Sequence, residues 1–176
     1  NLEWVIERTE NRIALKDVHT SEAVWEKEGD PWANWVWSHD STTTAITYEN
    51  KVFVLRNGKE SAVFDLVKSG YSRVYDLELS FDGQKLAFNI SSEGDYGERL
   101  AIWNIEQNKL FKLCDKNYSG RVGDGPIWSP DGRFVIQKVY DSQYRYFDVL
   151  IDTQTMQAYF SESDYFRGQI AWLAKP

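Results

Sequence analysis

The sequence predicts an all-β chain assembled from four copies of one multi-stranded unit, and three observations carry that prediction. Helical periodicity is nearly absent, while short runs rich in Val, Ile, Trp, Tyr and Phe alternate with turn-forming residues along the chain. Aromatic content is high, with eight Trp, ten Tyr and nine Phe among 176 residues, and flat, stiff side chains suit a pleated surface. Two short patterns also recur together at steps of about 40–50 residues, a period that marks repeat architectures.

The first pattern is an apolar strand running into Ser-x-Asp. It occurs as Trp37-Ser38-His39-Asp40, Leu79-Ser80-Phe81-Asp82-Gly83 and Trp128-Ser129-Pro130-Asp131-Gly132. A second apolar strand follows each, over 44–48, 85–90 and 133–139. This is hairpin chemistry, because Pro presets φ, Asp bonds to nearby amides and Gly takes the left-handed position. The second pattern is a strand, a polar turn and another strand, and it has four copies. Its turns are Asp17 to Thr20, Asn57-Gly58-Lys59, Glu106-Gln107-Asn108 and Asp152-Thr153-Gln154.

The first pattern lacks a fourth full copy. Ile170 to Leu173 reads as a first strand with nothing after it, and the N-terminus opens on a second strand, Leu2 to Arg8. Joining the two ends completes the set. Four-stranded units at this spacing are β-propeller blades. The expected architecture is a single four-bladed β-propeller of antiparallel blades over 31–67, 74–115, 124–162 and a closing blade made of 168–176 plus 1–28. Closure by the terminal strands would leave no unpaired blade edge. A β-sandwich is the competing architecture, but it gives no reason for fourfold recurrence.

The strand-turn signatures at Trp128 to Gly132 and Leu79 to Gly83 resemble the WD-like repeats of bacterial TolB-type propellers. The resemblance weakens at His39-Asp40-Ser41, where Gly is absent, and it is lost in the terminal unit. It implies a fold and says little about function, since such repeats are structural punctuation. The six- and seven-bladed members of that family are longer than this chain.

Acidic residues outnumber basic ones 27 to 20, for a net charge of −7. That sign repels phosphate backbones and favours a basic partner over nucleic acid. Cys114 is the one cysteine, so neither an internal disulfide nor a cysteine metal cage can form, and it reads as a small buried hydrophobe. No apolar run approaches the roughly 18 residues of a membrane span, and bacterial periplasm and cytoplasm both fit the composition. His19 and His39 fall in expected hairpin turns away from any nucleophile, and there is no nucleophile elbow, zinc-protease motif or phosphate loop. The expectation is therefore a non-enzyme without cofactor or metal. Glu93, Asp95 and Glu98 do not match the spacing of a calcium loop.

In a propeller, the loops leading into the innermost strands meet at one mouth of the channel. Three of these carry an aromatic residue with an Arg: Tyr71 with Arg73, Tyr118 with Arg121, and Tyr165 and Phe166 with Arg167. The fourth carries Trp32, with Trp35 just beyond. Asp76 and Asp124 lie immediately inward. Tyr, Trp and Arg are the residue types enriched at binding hot spots, so these eleven residues form the expected partner-binding rim. The competing reading packs each Tyr between blades, pairs each Arg with a local acid and uses the Asp residues as turn caps. Trp37 is expected in the core, and Trp35 either joins it or faces the rim. The functional expectation is a protein-binding propeller, with an immunity or inhibitor protein acting on a basic toxin as its sharpest form. The alternatives are a carbohydrate-binding module that stacks sugars on rim Trp and Tyr, and a hydrolase with paired carboxylates at the channel mouth.

Overall fold

A computed structural model describes residues 3–28, 33–92, 98–113, 118–141 and 143–162, with the backbone alone for 118–124. Every described element is a strand, and the strands form four antiparallel sheets, each a meander in chain order. The first sheet holds β1 (Trp4–Thr9), β2 (Arg12–Asp17) and β3 (Ala23–Glu28). The second holds β4 (Trp35–Trp37), β5 (Thr43–Tyr48), β6 (Lys51–Arg56) and β7 (Lys59–Asp65). The third comprises β8 (Arg73–Leu79), β9 (Lys85–Ser91), β10 (Arg99–Asn104) and β11 (Lys109–Lys112). The fourth comprises β12 (Tyr118–Trp128), β13 (Phe134–Asp141), β14 (Tyr146–Asp152) and β15 (Gln157–Glu162). These sheets are the four blades. The strand expected to complete the first, within 168–176, lies outside the described residues, as does Cys114.

The Ser-x-Asp turns fold as one repeated device. Ser38, Ser80 and Ser129 each donate their hydroxyl to the Asp two residues on, at 2.7, 2.7 and 2.6 Å. Each Asp in turn accepts the amide of Thr42, Gln84 or Arg133 at 3.0 Å. The Ser oxygen receives the first amide of the next strand, from Thr43, Lys85 or Phe134. All three turns place their next residue at positive φ: Ser41 at 59°, Gly83 at 65° and Gly132 at 65°. Ser41 thus takes the conformation that Gly supplies without strain in the other two copies.

Packing between blades makes the core. One cluster joins the second and third blades around Phe64, Phe88 and Trp103, the last being 1% exposed. Another joins the third and fourth around Ile102, Trp128 and Val149. The third joins the first and second around Leu15, Trp25 and Phe53. Among the described residues, no such cluster joins the fourth blade to the first. Polar ties add register to these contacts. Arg56 donates to the Gly83 carbonyl at 3.3 Å, and Lys85 donates to the Gly132 carbonyl at 3.2 Å and to the Thr153 hydroxyl at 2.9 Å. The two carbonyl contacts run from one blade to the Ser-x-Asp turn of the next, which ties the turns of the third and fourth blades each to the blade before it.

Candidate functional site

Of the innermost strands, β8 adjoins both β4 and β12. Because neighbouring strands run antiparallel, the start of each inner strand and the end of its neighbour share one mouth of the channel, and the Ser-x-Asp turns share the other.

At the entry mouth, Trp35 opens β4 and is 38% exposed, while Trp37, on the same face, packs against the core between the first two blades. The Arg8 guanidinium sits 5.7 Å from the Trp35 ring centre, close enough for a cation–π contact, and donates to the Ala33 carbonyl at 3.3 Å. Tyr71 is half-buried against the core of the second and third blades, with the Lys112 ammonium 5.5 Å from its ring centre. Arg73 is exposed and donates to the Tyr75 hydroxyl at 3.4 Å. Arg73 is the first residue of β8, and Tyr118 the first residue of β12, so both aromatic-plus-Arg motifs extend into strands. The fourth blade's inner strand therefore begins six residues ahead of the expected 124. Two register shifts against β13 absorb the added length. Tyr118, Arg121 and Asp124 lie on β12, where the backbone alone is described. Trp32, Tyr165, Phe166 and Arg167 lie outside the described residues, as do Glu93 and Asp95.

Asp76 sits where β8 slips register, between Tyr75 and Glu78, with φ at 51°. Its carboxylate accepts a 3.2 Å hydrogen bond from the Asn89 amide nitrogen. The Asn89 carbonyl oxygen accepts one at 2.9 Å from Gln137. This chain of amides crosses from the third blade to the fourth through the buried interior, Asn89 and Gln137 each being 1% exposed. The Gln137 side-chain oxygen is left without a partner among the described residues. Gly125 faces the same point, since a Cβ there would stand 2.5 Å from the Asp76 Cβ.

The exit mouth holds a cleft of about 210 Å³ lined by residues of three blades. Trp37 and His39 come from the end of β4, Glu78, Leu79 and Phe81 from the end of β8, and Trp128 from the end of β12. The His39 and Phe81 rings stack at 4.0 Å between centroids with 21° between planes, and Phe81 remains 45% exposed. Trp128 is fixed by donating its indole N–H to the Glu78 carbonyl at 2.8 Å. Burial pushes the Glu78 carboxyl above the ordinary glutamate range. At the lip, the Ser38 hydroxyl and Thr42 amide hold Asp40 below the usual carboxylate range, and the Ser129 hydroxyl and Arg133 amide do the same for Asp131.

Sequence reasoning places the repeated Ser-x-Asp turns correctly but assigns them no role, so Glu78, Phe81 and His39 are missed as lining residues. Among the described residues, no group of three His, Cys, Asp or Glu is placed to hold a metal ion, and no helix is long and apolar enough to cross a membrane.

This constellation of blades defines a β-propeller, and comparison with solved structures agrees. The chain is similar to TolB from Acinetobacter baumannii, with 19% identity, 92% of this chain and 40% of that one covered, and a TM-score of 0.57. It is also similar to the Cps50 (Swd1) β-propeller domain of Myceliophteria thermophila, at 13% identity, 91% and 52% coverage and a TM-score of 0.60. A puromycin hydrolase matches at 12% identity, with 89% and 26% coverage and a TM-score of 0.60. The chain thus spans about half or less of the length of these structures. At such identities the likeness establishes the fold, which proteins of different chemistry share. No protein-family model and no curated protein sequence matches the chain.

Proposed function

We propose that this chain is a non-catalytic, protein-binding propeller module whose entry mouth docks a basic partner, with neutralisation of that partner, as by an inhibitor or immunity protein, as its sharpest form. The observation that supports this best is Trp35. A large aromatic ring standing 38% exposed on an inner strand, beside the Arg8 guanidinium, is a surface feature with no need in the fold. Exposed Arg73, hydrogen-bonded to the hydroxyl of half-buried Tyr75, adds a second cation beside an aromatic residue at the same mouth. Trp, Tyr and Arg give rigid contact area with a polar handle, which is what binding hot spots use. The net charge of −7 favours a basic partner and speeds its approach.

The test is calorimetric titration of the chain against purified products of adjacent genes. Trp35→Ala, Tyr71→Ala and Arg73→Ala should each weaken the complex at least tenfold, and Trp35→Ala should leave the unfolding midpoint almost unchanged because the ring is outside the core. Retention of full affinity by all three variants would place the interface elsewhere.

A further inference from the structure

Glu78 is, among the described residues, a half-buried acid for which the fold supplies no counter-charge. Leu77 and Leu79 on either side of it pack into the core between the second and third blades. Alternation therefore sends the Glu78 side chain to the other face of β8, toward Trp128 of β12. The carboxyl is half-buried there, yet among the described residues it meets no hydrogen-bond donor and no cation. Partial desolvation of a carboxylate carries a cost, and no partner among the described residues offsets it. Lys85, whose ammonium lies 5.9 Å from the Trp128 ring centre, is already bound to the Gly132 carbonyl and the Thr153 hydroxyl.

The cleft that Glu78 lines is walled mostly by rings, those of Trp37, Trp128, Phe81 and the His39 stacked on it, with Leu79 and Ser129 completing the lining. Aromatic faces are electron-rich, so they attract a cation and repel an anion. The cleft of about 210 Å³ holds about seven waters at the ~30 Å³ each occupies in the liquid. That space suits an ammonium or guanidinium head with its first methylenes, and it lies below the ~300 Å³ at which pockets for larger organic ligands begin. We propose that the exit mouth is a cation-binding cleft that takes a Lys or Arg side chain of a protein partner, with Glu78 as counter-ion and Trp37, Phe81 and Trp128 as its aromatic walls. The identity of the donor as a protein rests on the protein-binding reading above; the cleft's preference for an organic cation does not.

The experiment has two arms, both on the intact chain. In the first, agmatine and n-butylammonium are titrated while Trp fluorescence is followed, with n-butanol as the neutral control. Saturable binding near 1 mM is expected for the cations and none for butanol. Glu78→Gln should weaken it at least tenfold, and Phe81→Ala, at an exposed position, about threefold or more. Glu78→Gln should also raise the unfolding midpoint of the ligand-free chain, because it removes an uncompensated charge. Equal response to butanol, full binding by Glu78→Gln, or a lowered midpoint or failure to fold in Glu78→Gln would overturn the assignment, the last two by showing a structural carboxylate. In the second arm, an acetylated Gly-Arg-Gly amide is compared with its uncharged citrulline counterpart. Selective binding of the Arg peptide is expected. If small cations bind and the peptide does not, the cleft stands and the protein side chain as its occupant falls. If both bind in a chain whose entry-mouth variants keep full partner affinity, it is the entry-mouth reading alone that fails.

Discussion

The three Ser-x-Asp turns permit an internal test, because one backbone conformation is occupied by Ser41, Gly83 and Gly132 in three different surroundings. A left-handed conformation costs an L-residue about 1–2 kcal/mol, and glycine loses about 0.5–1 kcal/mol more backbone entropy on folding than alanine does. Ser41→Gly should therefore stabilise the chain by about 0.5–1 kcal/mol. In Gly132→Ala the added Cβ meets its nearest neighbour, the Ser80 Cβ, at 3.8 Å, an ordinary contact. The cost is then the φ term less the backbone entropy recovered on replacing glycine, about 0.5–1 kcal/mol. In Gly83→Ala the Cβ would stand 2.7 Å from the Thr43 hydroxyl oxygen and 2.9 Å from the Thr43 Cβ. Thr43 is 3% exposed and its amide is bound to the Ser38 oxygen, so it has little room to yield. Overpacking of this kind adds about 1–3 kcal/mol, for a total of about 1.5–4. Urea unfolding monitored by Trp fluorescence gives the three values directly, and the thermal midpoint should move about 2–4 °C per kcal/mol. Thr43→Ala in the Gly83→Ala background removes the 2.7 Å contact and should recover part of the loss, a coupling read by a double-mutant cycle. Equal costs for Gly83→Ala and Gly132→Ala would refute the blade-to-blade contact, and destabilisation by Ser41→Gly would refute the left-handed turn.

Acid stability should follow the turn carboxylates. Asp131 is lowered by the Ser129 hydroxyl and Asp152 by the Arg133 side chain. Groups depressed in the folded state contribute stability that is present above their unfolded value of about 3.9 and is lost as pH falls through the folded value. Glu78, raised by burial, acts the other way: its contribution is complete below about pH 4.3 and lost as pH rises through its folded value. Thermal midpoints measured from pH 6 to pH 2 should fall less steeply in Asp131→Asn than in the parent chain, and parallel curves would show that Asp131 does not carry the effect. Asn89→Ala should cost about 2–3 kcal/mol in urea unfolding, since it strips partners from both Asp76 and Gln137, and combining it with Gln137→Leu should cost less than the two singly added.

How much of this could be read from residues depended on the range of the interaction. The Ser-x-Asp turn is legible because its bonds join residues two to five apart, so the spelling carries the geometry. The Asp17 turn is legible for the same reason, with the His19 and Thr20 amides bonding back to its side chain at 2.7 and 3.0 Å. Trp35 and Trp37 mark the limit of alternation: both point the same way, but β4 is three residues long and only Trp37 lies deep enough to meet the core. Glu78 was beyond reach because what covers it is Trp128, 50 residues onward and in another blade. An acid between two leucines on a strand spells a solvated face, and no local pattern announces that a neighbouring blade lies over it.

The register slip in β8 explains how an acid came to lie there at all. Tyr75 pairs with Asn89 and Glu78 with Ala87, so three steps along β8 match two along β9. One extra residue exchanges the faces of a strand. Ahead of the slip, the even-numbered Val74 packs into the core between the second and third blades; beyond it, the odd-numbered Leu77 and Leu79 do so. Without the extra residue, Glu78 would share the face of Val74 and enter an apolar core, where an unpaired carboxylate is prohibitively costly. The slip also holds Asp76 at positive φ, where it meets Asn89 and approaches Gly125 of the next inner strand. A single irregularity therefore ties the two mouths together. It anchors the amide chain toward one end and turns Glu78 into the aromatic cleft at the other. The Ser-x-Asp turns then hold that cleft still, because each satisfies its own polar groups and is bound to the neighbouring blade. Repetition supplies the rigid positions, and the differences between copies, His39 against Phe81 and Leu79 against Trp128, supply the chemistry.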